Sequence, residues 1–340
     1  MPIKKAIFNK KNILVVGGAG FIGSHLCDSL LKDNKVICLD NFITGNEGNI
    51  EHLLQHPDFE FIKQDITTEL NLEALPELKE FQIEFQGLQE IYFLASPTSP
   101  KDYAKYPIET MLANSVGLRN CLDLAVRHKA QFFYASASSV YGDGNKGKLL
   151  KEDYIGLVNQ SGPRACFTES KRFGETLVEN YRLKYGLDTK TVRIFNCYGP
   201  KMRLGDGRMM PEIIKAAMNN QDITIYGDEK SFGSYFYILD LIKGIKKVME
   251  STENGPINLA SEWKNKFSEI AQIVIKLTNS KSKIIYAKGD PLTGEQNLAD
   301  ITLAKEKLGW FPIVLLEDGI RQTIDYLEAQ QGIRSPEELS

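Results

Sequence analysis

The sequence has few cysteines, and none of them is paired as metal sites or redox motifs require. Five cysteines are scattered over 340 residues and form no C-x-x-C pair. Zinc sites and disulfide frameworks both depend on closely set or regularly spaced cysteines. We therefore expect no metal site and no disulfide framework. Cys27, Cys38 and Cys197 lie in apolar-rich segments and are predicted to be small core residues.

The chain also lacks a long apolar run and a large excess of one charge. No apolar run approaches the roughly 20 residues that span a bilayer, and residues 1–5 lack the long apolar segment of a secretory signal. The formal net charge is −3, which argues against a nucleic-acid or anionic-membrane surface. We expect a cytoplasmic protein with neither a membrane nor a nucleic acid as partner.

What the chain does contain is a repeated alternation of apolar runs and helical patterns. Helical periodicity fits residues 22–30, Ile108–His128 and Phe167–Tyr185. Near-continuous apolar runs are typical of strands buried on both faces, and six of them occur in the first two-thirds of the chain: Ile13–Val16, Val36–Leu39, Phe59–Ile62, Ile91–Leu94, Phe132–Ala135 and Thr191–Phe195. Repeated strand–helix–strand units predict right-handed crossovers and a Rossmann-type, doubly wound parallel sheet in an α/β protein.

The pattern changes after residue 196 to shorter, mixed pieces. Helices are predicted at Glu212–Met218 and Leu239–Met249, and strands at Ile223–Tyr226 and Ile257–Leu259. This is typical of a smaller C-terminal α/β substrate lobe over the carboxyl edge of the sheet. We predict a dinucleotide-binding domain over 1–200, a substrate lobe over 201–333 whose elements interleave with it, and a tail over 334–340. The polar, weakly periodic segment 71–88 is predicted to be a surface excursion.

A glycine-rich turn marks a dinucleotide site. Gly17, Gly20 and Gly23 follow a predicted buried strand and open a predicted helix, so the backbone can approach a pyrophosphate and the helix N-terminus can meet its charge. Asp40 ends the second strand about 20 residues on, where a carboxylate binds the ribose hydroxyls. This carboxylate repels a 2′-phosphate, which favours NAD over NADP. Asp65, after the third strand, is a plausible contact on the adenine side.

These residues resemble the extended short-chain dehydrogenase/reductase family, and within it most closely the UDP-glucuronate decarboxylases. The resembling stretches span most of residues 12–310 and read GGAGFIGSHLCDSLL at 17–31, LDNFITG at 39–45, ASPTSPKDY at 95–103, SGPRACFTESKR at 161–172, RIFNCYGPKMRLGDGR at 193–208 and ITIYGD at 223–228. The resemblance implies tightly bound NAD, oxidation of the sugar's C4 hydroxyl, loss of carbon dioxide from the resulting β-keto acid, and return of the hydride. It also implies a homodimer through the helices at Ile108–His128 and Phe167–Tyr185.

The resemblance further implies which residues contact each ligand. Lys171 is expected to hydrogen-bond the nicotinamide ribose and to place a positive charge near the ring. The other implied NAD contacts are Phe21, Ile22, Asn41, Phe42, Thr44, Gly45, Ile66, Leu94 and Ala95. A nucleotide sugar, most simply a UDP-sugar, is expected against Asn196, Arg203, Arg208 and Tyr226.

Four positions that carry the family's chemistry are altered. Phe167 stands where the tyrosine of a Tyr-x-x-x-Lys motif acts as the base, so no phenol precedes Lys171. Ala137 replaces a threonine or serine, Ser139 replaces the glutamate of the decarboxylases, and Gly233 replaces an arginine that faces the substrate. A later arginine, expected on the diphosphate, corresponds to residue 297 or 298, which are Asn and Leu.

These departures leave three functions open. Losing one acid–base group removes a factor of roughly 10²–10⁴ in rate, so the leading hypothesis is a decarboxylase-like protein with little turnover by the usual route. The first alternative is a non-catalytic protein that binds NAD and a nucleotide sugar. The second is a dehydratase or epimerase with an atypical acid–base residue. Cys166 and Thr168 are the nearest candidates for such a residue, although a packing role is favoured for both.

Overall fold

The computed structural model describes residues 10–142, 148–288 and 297–333. In chain order, its strands are β1 (Asn12–Val16), β2 (Lys35–Asp40), β3 (Phe59–Lys63), β4 (Glu90–Phe93), β5 (Gln131–Ala137), β6 (Leu149–Leu150), β7 (Thr189–Ile194), β8 (Cys197–Tyr198), β9 (Ile223–Tyr226), β10 (Phe232–Gly233), β11 (Phe236–Tyr237), β12 (Pro256–Leu259), β13 (Asn265–Lys266), β14 (Ile284–Ala287) and β15 (Leu298–Ala299).

The α-helices of the same ranges are α1 (Phe21–Leu30), α2 (Ile83–Gln86), α3 (Pro100–Lys105), α4 (Pro107–Leu112), α5 (Leu118–His128), α6 (Ala165–Tyr185), α7 (Met209–Met218), α8 (Ile238–Glu250), α9 (Phe267–Thr278), α10 (Thr302–Leu308) and α11 (Leu316–Ile333). The helix predicted at Ile108–His128 is divided, because a single π-turn at Ala113–Gly117 separates α4 from α5. The helix predicted at Phe167–Tyr185 is α6.

Seven strands form one parallel sheet in the order β12-β7-β5-β4-β1-β2-β3. The order reverses between β1 and β4, and open α/β sheets bind ligands in the crevice outside the carboxyl ends of the strands at such a switch point. All six predicted strands of the N-terminal part are present in this sheet, so the predicted Rossmann-type fold is confirmed.

Each face of the sheet has its own apolar core, because successive strand residues point to opposite sides. Val15 of β1 packs in the core that contains Leu26 of α1, which contacts α8. Leu14, its neighbour, packs in the second core with Leu122 of α5 and Val178 of α6. The near-continuous apolar strands seen in the sequence are therefore explained by burial on both faces.

The surface excursion predicted at 71–88 is wrong. Leu72, Leu78, Phe81 and Ile83 are buried in the second core. The segment forms two 3₁₀ turns and the short helix α2. Its apolar residues therefore follow neither the strand period nor the α-helix period, which explains why the sequence pattern looked weak.

The C-terminal part of the chain contributes both to the main sheet and to a smaller unit. β12, predicted as part of the substrate lobe, pairs in parallel with β7 and forms an edge of the main sheet. β9 and β14 form a separate parallel pair, and α7 and α9 pack against each other and against β9. The division into 1–200 and 201–333 stays a prediction, and the predicted tail at 334–340 lies outside the described residues.

Within the described ranges, no helix is long and apolar enough to cross a bilayer. Nor do those residues include a group of three or more histidine, cysteine or carboxylate side chains placed to hold a metal ion. All five cysteines are free thiols.

Candidate active site

A cleft of about 1050 Å³ lies over the carboxyl ends of the central strands, and a smaller cavity of about 130 Å³ extends it beside β2. Most predicted site residues line the cleft: Gly17, Gly20, Phe21, Ile22, Gly23, Phe42, Thr44, Gly45, Leu94, Ala137, Ser139, Phe167, Lys171, Asn196, Arg203, Arg208 and Tyr226. The smaller cavity adds Asp40, Asn41, Asp65, Ile66 and Ala95. Gly233 lines neither of them.

The glycine-rich turn is shaped for close approach. Gly17 has a φ of +83°, and a Cβ added there would lie 2.7 Å from the backbone nitrogen of Ala95. A Cβ at Gly23 would lie 2.1 Å from the carbonyl oxygen of Gly17, so the helix and the turn pack too closely for any side chain. Gly20 precedes α1, which has no side-chain cap. The positive end of this helix therefore faces the cleft, as pyrophosphate binding requires.

Asp40 lies at the end of β2, where its carboxylate is buried and held in place. Its Oδ2 accepts a hydrogen bond from the amide of Ala19 at 3.0 Å, and its Oδ1 accepts one from the amide of Phe42 at 2.8 Å. Burial raises the pKa of Asp40, and these amide hydrogen bonds partly offset the rise. Gly45 leaves room for this carboxylate, because a Cβ there would come within 2.8 Å of Oδ1. The arrangement fits the adenosine ribose of NAD.

The adenine side of the cavity is ordered by local hydrogen bonds. Asn41 donates from Nδ2 to Oδ2 of Asp65 at 3.0 Å, and Thr67 donates to the other oxygen of that carboxylate. Burial alone would raise the pKa of Asp65, but these hydrogen bonds hold it below its usual value. Phe42 has a φ of +59°, a conformation that non-glycine residues seldom adopt. Such strained residues cluster at binding sites.

Lys171 projects from α6 into the cleft but is almost fully buried, with 2% of its surface exposed. Its Nζ donates to the carbonyl oxygen of Ala135 at 2.8 Å and lies 5.2 Å from the ring centroid of Tyr134. Burial lowers the pKa of Lys171 to about 7, and the nearby Glu175 opposes this shift. Glu175 itself is paired with Arg193. The amine therefore loses its proton more readily in the folded protein than an exposed lysine does.

Phe167 lies one helical turn before Lys171 and is buried with 6% of its surface exposed. Its ring stacks on that of Tyr103, with centroids 5.4 Å apart and planes only 8° from parallel. Tyr103 belongs to α3 and also lines the cleft. The position of the expected base is therefore filled by an apolar ring, and a phenol from another element lies against it.

The two nearest candidates for a substitute acid–base group, for which a packing role is favoured, do not line the cleft. Neither Cys166 nor Thr168 is among its lining residues. The Sγ of Cys166 contacts the carbonyl oxygen of Tyr103 at 3.6 Å, and burial raises the pKa of this thiol. Thr168 is buried in α6. Both observations favour the packing role.

The end of β5 supplies little chemistry to the cleft. Ala137 offers only a methyl group, and the buried Oγ of Ser139 has no hydrogen-bond partner within the described part of the chain. The residues at 297 and 298 lie elsewhere: Nδ2 of Asn297 donates to carbonyl oxygens of Ser138 and Gly142, and Leu298 is buried in β15. Neither of these two residues lines the cleft.

Both predicted substrate arginines are already paired with carboxylates. Arg203 forms an ion pair with Asp102. Arg208 donates from Nε at 2.8 Å and from Nη2 at 2.5 Å to the same oxygen of the buried Asp206. Nδ2 of Asn196 donates to the carbonyl oxygen of Ser234 at 3.2 Å. Tyr226 is 40% exposed at the end of β9. These pairs position the cations but also offset part of their charge.

Gly233 is buried in β10, which pairs with β13. A Cβ at this position would lie 2.6 Å from the ring of Tyr235 and 2.8 Å from the ring of Phe267. Both rings line the cleft. The space that a side chain at 233 would take is thus occupied by aromatic residues.

Sequence reasoning missed several residues of the cleft. Tyr103 and Arg164 lie within the resembling stretches but were given no role. Arg164 precedes α6, and its buried Nε has no hydrogen-bond partner among the residues that the structure describes, which makes it a candidate for binding an anionic group. Tyr326 and Gln330 of α11 also line the cleft. Arg164 lies three residues before Phe167, and this spacing could have indicated that the two side chains are neighbours. The sequence contains no comparable pattern that would place α11 at the cleft.

Comparisons with known proteins show the family of this chain. The NAD dependent epimerase/dehydratase family profile matches residues 13–260. UDP-glucuronic acid decarboxylase 1 of Danio rerio is 38% identical over 326 residues, which cover 95% of this chain and 74% of that protein. UDP-glucuronic acid decarboxylase 5 of Arabidopsis thaliana is 37% identical, with coverage of 94% and 90%.

A solved structure shares the whole fold. The UDP-glucuronic acid 4-epimerase of Bacillus cereus, in complex with UDP-glucuronic acid and NAD, superposes with a TM-score of 0.81 at 28% identity. The superposition covers 94% of this chain and 99% of that one. The glycine-rich turn, the helix N-terminus and Asp40 fit the cofactor that the family uses. This chain therefore belongs to the NAD dependent epimerase/dehydratase family, also known as the extended short-chain dehydrogenases/reductases.

Proposed function

We propose that this protein binds NAD together with a UDP-sugar, of which UDP-glucuronate is the leading candidate, and converts it only slowly or not at all by the family's tyrosine route. One observation carries the proposal. Phe167 fills the base position one turn before a retained, buried Lys171, within a cleft whose cofactor residues are otherwise in place. In this proposal the residues that bind the two ligands are kept and the main proton acceptor is lost.

The nucleotide-sugar part rests on the relatives and on the charges of the cleft. Two relatives are named UDP-glucuronic acid decarboxylases, and one solved relative holds UDP-glucuronic acid with NAD. In this chain Arg203 and Arg208 line the cleft beside the cofactor residues. A diphosphate is well matched to guanidinium groups, because these donate several hydrogen bonds in a fixed planar arrangement.

The loss of chemistry rests on three positions together. Phe167 and Ala137 have no ionisable or hydrogen-bonding side-chain atom, and Ser139 offers a hydroxyl in place of a carboxylate. Removing one acid–base group costs roughly 10²–10⁴ in rate. A non-catalytic binding protein is the limiting case of this proposal, and the same substitutions favour it.

The homodimer remains part of the proposal. α4 and α6 contact each other and expose the apolar side chains Ile108, Met111 and Phe173. A second copy packed on these helices would bury that surface, as the family resemblance implies. Light scattering during gel filtration is expected to give twice the chain mass of 38.3 kDa, and a monomer would contradict this part. The cytoplasmic location also stays a prediction.

Isothermal titration calorimetry tests the binding proposal. Protein stripped of nucleotide is titrated with NAD, and the NAD-loaded protein is then titrated with UDP-glucuronate and, separately, with UDP. We expect saturable binding of all three. Arg208→Gln, which keeps an amide donor but removes the charge, is expected to weaken UDP and UDP-glucuronate alike and to leave NAD unchanged. The proposed function would be refuted if NAD did not bind. It would also be refuted if neither UDP nor UDP-glucuronate bound.

A further inference from the structure

The stacked pair of Tyr103 and Phe167 suggests where a proton acceptor can still be found. Tyr103 is the phenol that stacks on the ring at the vacant base position, and only 2% of its surface is exposed. Because the planes are within 8° of parallel, the two rings occupy adjacent layers of the same wall of the cleft. Parallel offset stacking is a favoured aromatic arrangement, so it fixes the phenol next to the site of the missing one.

The helix that carries Tyr103 is held firmly at this place. Ser99 caps α3 by accepting a hydrogen bond from the amide of Asp102, and Asp102 forms the ion pair with Arg203. The thiol of Cys166 contacts the backbone oxygen of Tyr103 from α6. The backbone of α3 is therefore tied to α6 at Tyr103 and to a predicted substrate arginine through Asp102, and the ring of Tyr103 is held by its stack on Phe167.

We propose that Tyr103 has taken over, in part, the acid–base role of the tyrosine that Phe167 replaces. The proposal rests on the proposed function, since it requires NAD and a nucleotide sugar in this cleft. NAD, when bound, accepts a hydride. The Tyr103 phenolate oxygen then takes the proton of the sugar hydroxyl as the hydride leaves the same carbon, so that a carbonyl forms and the phenol becomes neutral. In the reverse direction the phenol returns that proton.

The other polar residues of this wall are less suited to the role. Ser138 and Ser139 carry hydroxyls, which are far weaker acids than a phenol, and Cys166 and Thr168 do not line the cleft. Tyr141 binds Asn258 at 2.7 Å and Arg193 at 2.9 Å and also lies outside the lining. Tyr103 lines the cleft, and its ring stacks on that of Phe167 at the base position.

The first test is a binding measurement that needs no turnover. A hydrogen bond between Tyr103 and the sugar hydroxyl predicts that Tyr103→Phe weakens UDP-glucuronate about 3- to 10-fold, the usual size for one neutral hydrogen bond. UDP, which lacks the sugar, is expected to bind unchanged. Tyr237→Phe removes a buried phenol that bonds Gln322 outside the cleft, and serves as the matched control. Equal affinity for UDP-glucuronate in Tyr103→Phe and the parent protein, or an equal loss for UDP, would overturn the proposal.

The second test follows NADH formation in a single turnover, with NAD-loaded protein in excess over UDP-glucuronate. We expect a slow signal in the parent protein and in Tyr237→Phe, reduced about 100-fold or more in Tyr103→Phe. An undiminished rate in Tyr103→Phe overturns the assignment. So does a parent protein that binds both ligands yet forms no NADH, although the binding part of the proposed function would survive. Failure to bind either ligand would refute the proposed function as well.

Discussion

The buried amine of Lys171 is expected to make the stability of the protein depend on pH in a way that one substitution removes. Lys171 donates to the carbonyl oxygen of Ala135. Burial lowers its pKa from 10.5 to about 7 in the folded protein. At pH values between about 7 and 10.5, the amine of Lys171 is protonated in the unfolded chain and largely deprotonated in the folded protein.

The sign and size of the effect follow from linkage. Between about pH 7 and pH 10.5, unfolding is accompanied by uptake of a proton at Lys171. The free energy of unfolding therefore increases as the pH is raised through this range. One pH unit corresponds to about 1.4 kcal/mol when the difference is a full proton. Since about half of the folded-state amines are still protonated at the lower limit, we expect Lys171 to contribute about 2 kcal/mol between about pH 7 and pH 9.

Urea unfolding of the nucleotide-free protein at these two pH values measures the effect. Lys171→Met keeps the length of the side chain and removes the titrating group, so the pH-dependent gain is expected to be about 2 kcal/mol smaller in this variant than in the parent. Lys190→Met is the matched control, because Lys190 is also buried but is paired with Asp188. An equal pH dependence in Lys171→Met and the parent protein would show that the pKa of this amine is not lowered in the folded protein.

Two further predictions concern the cofactor and the missing chemistry. Asp40→Asn keeps one acceptor for the neighbouring amides but removes the charge, so NAD should bind about tenfold or more weakly and the preference for NAD over NADP should shrink. Calorimetry with both cofactors measures the two affinities. An unchanged preference would show that the carboxylate does not discriminate between NAD and NADP. Phe167→Tyr alone is expected to be nearly silent, whereas Phe167→Tyr with Ala137→Thr and Ser139→Glu should gain decarboxylation of UDP-glucuronate, because residues that act as a unit are not additive. Gly233 is left unchanged, since a larger residue would displace two packed rings at a cost of about 1–3 kcal/mol. Mass spectrometry of the product decides, and a triple variant that folds, binds NAD and stays inactive would indicate a changed pocket.

The parts of the fold that depend on local pattern could be predicted from the sequence. The runs that became β1 and β2 are apolar because both faces of the sheet are covered, and that burial leaves a direct trace in composition. The turn at residues 17–23 is also partly local, since a Cβ at Gly23 would clash with Gly17 and Gly18. The prediction for segment 71–88 was wrong because 3₁₀ turns bury apolar side chains without a regular period in the sequence.

The parts that depend on distant contacts could not be predicted. Phe167 was recognised as a loss, but the phenol of Tyr103 that stacks on it comes from another helix with no sequence signal for the pairing. The space around Gly233 is filled by Tyr235 and Phe267, so a side chain at this position would displace two aromatic rings. Such contacts are set by tertiary packing, which a single sequence does not encode locally.

The central claim is that this cleft retains recognition of NAD and a UDP-sugar while lacking the tyrosine route. The most direct measurement is the steady-state turnover of UDP-glucuronate by the NAD-loaded protein, with products identified by mass spectrometry. We predict a rate at least about 100-fold below the roughly 1 s⁻¹ at the lower end of ordinary enzymes. Turnover near 1 s⁻¹, with UDP-xylose as product, would contradict the claim.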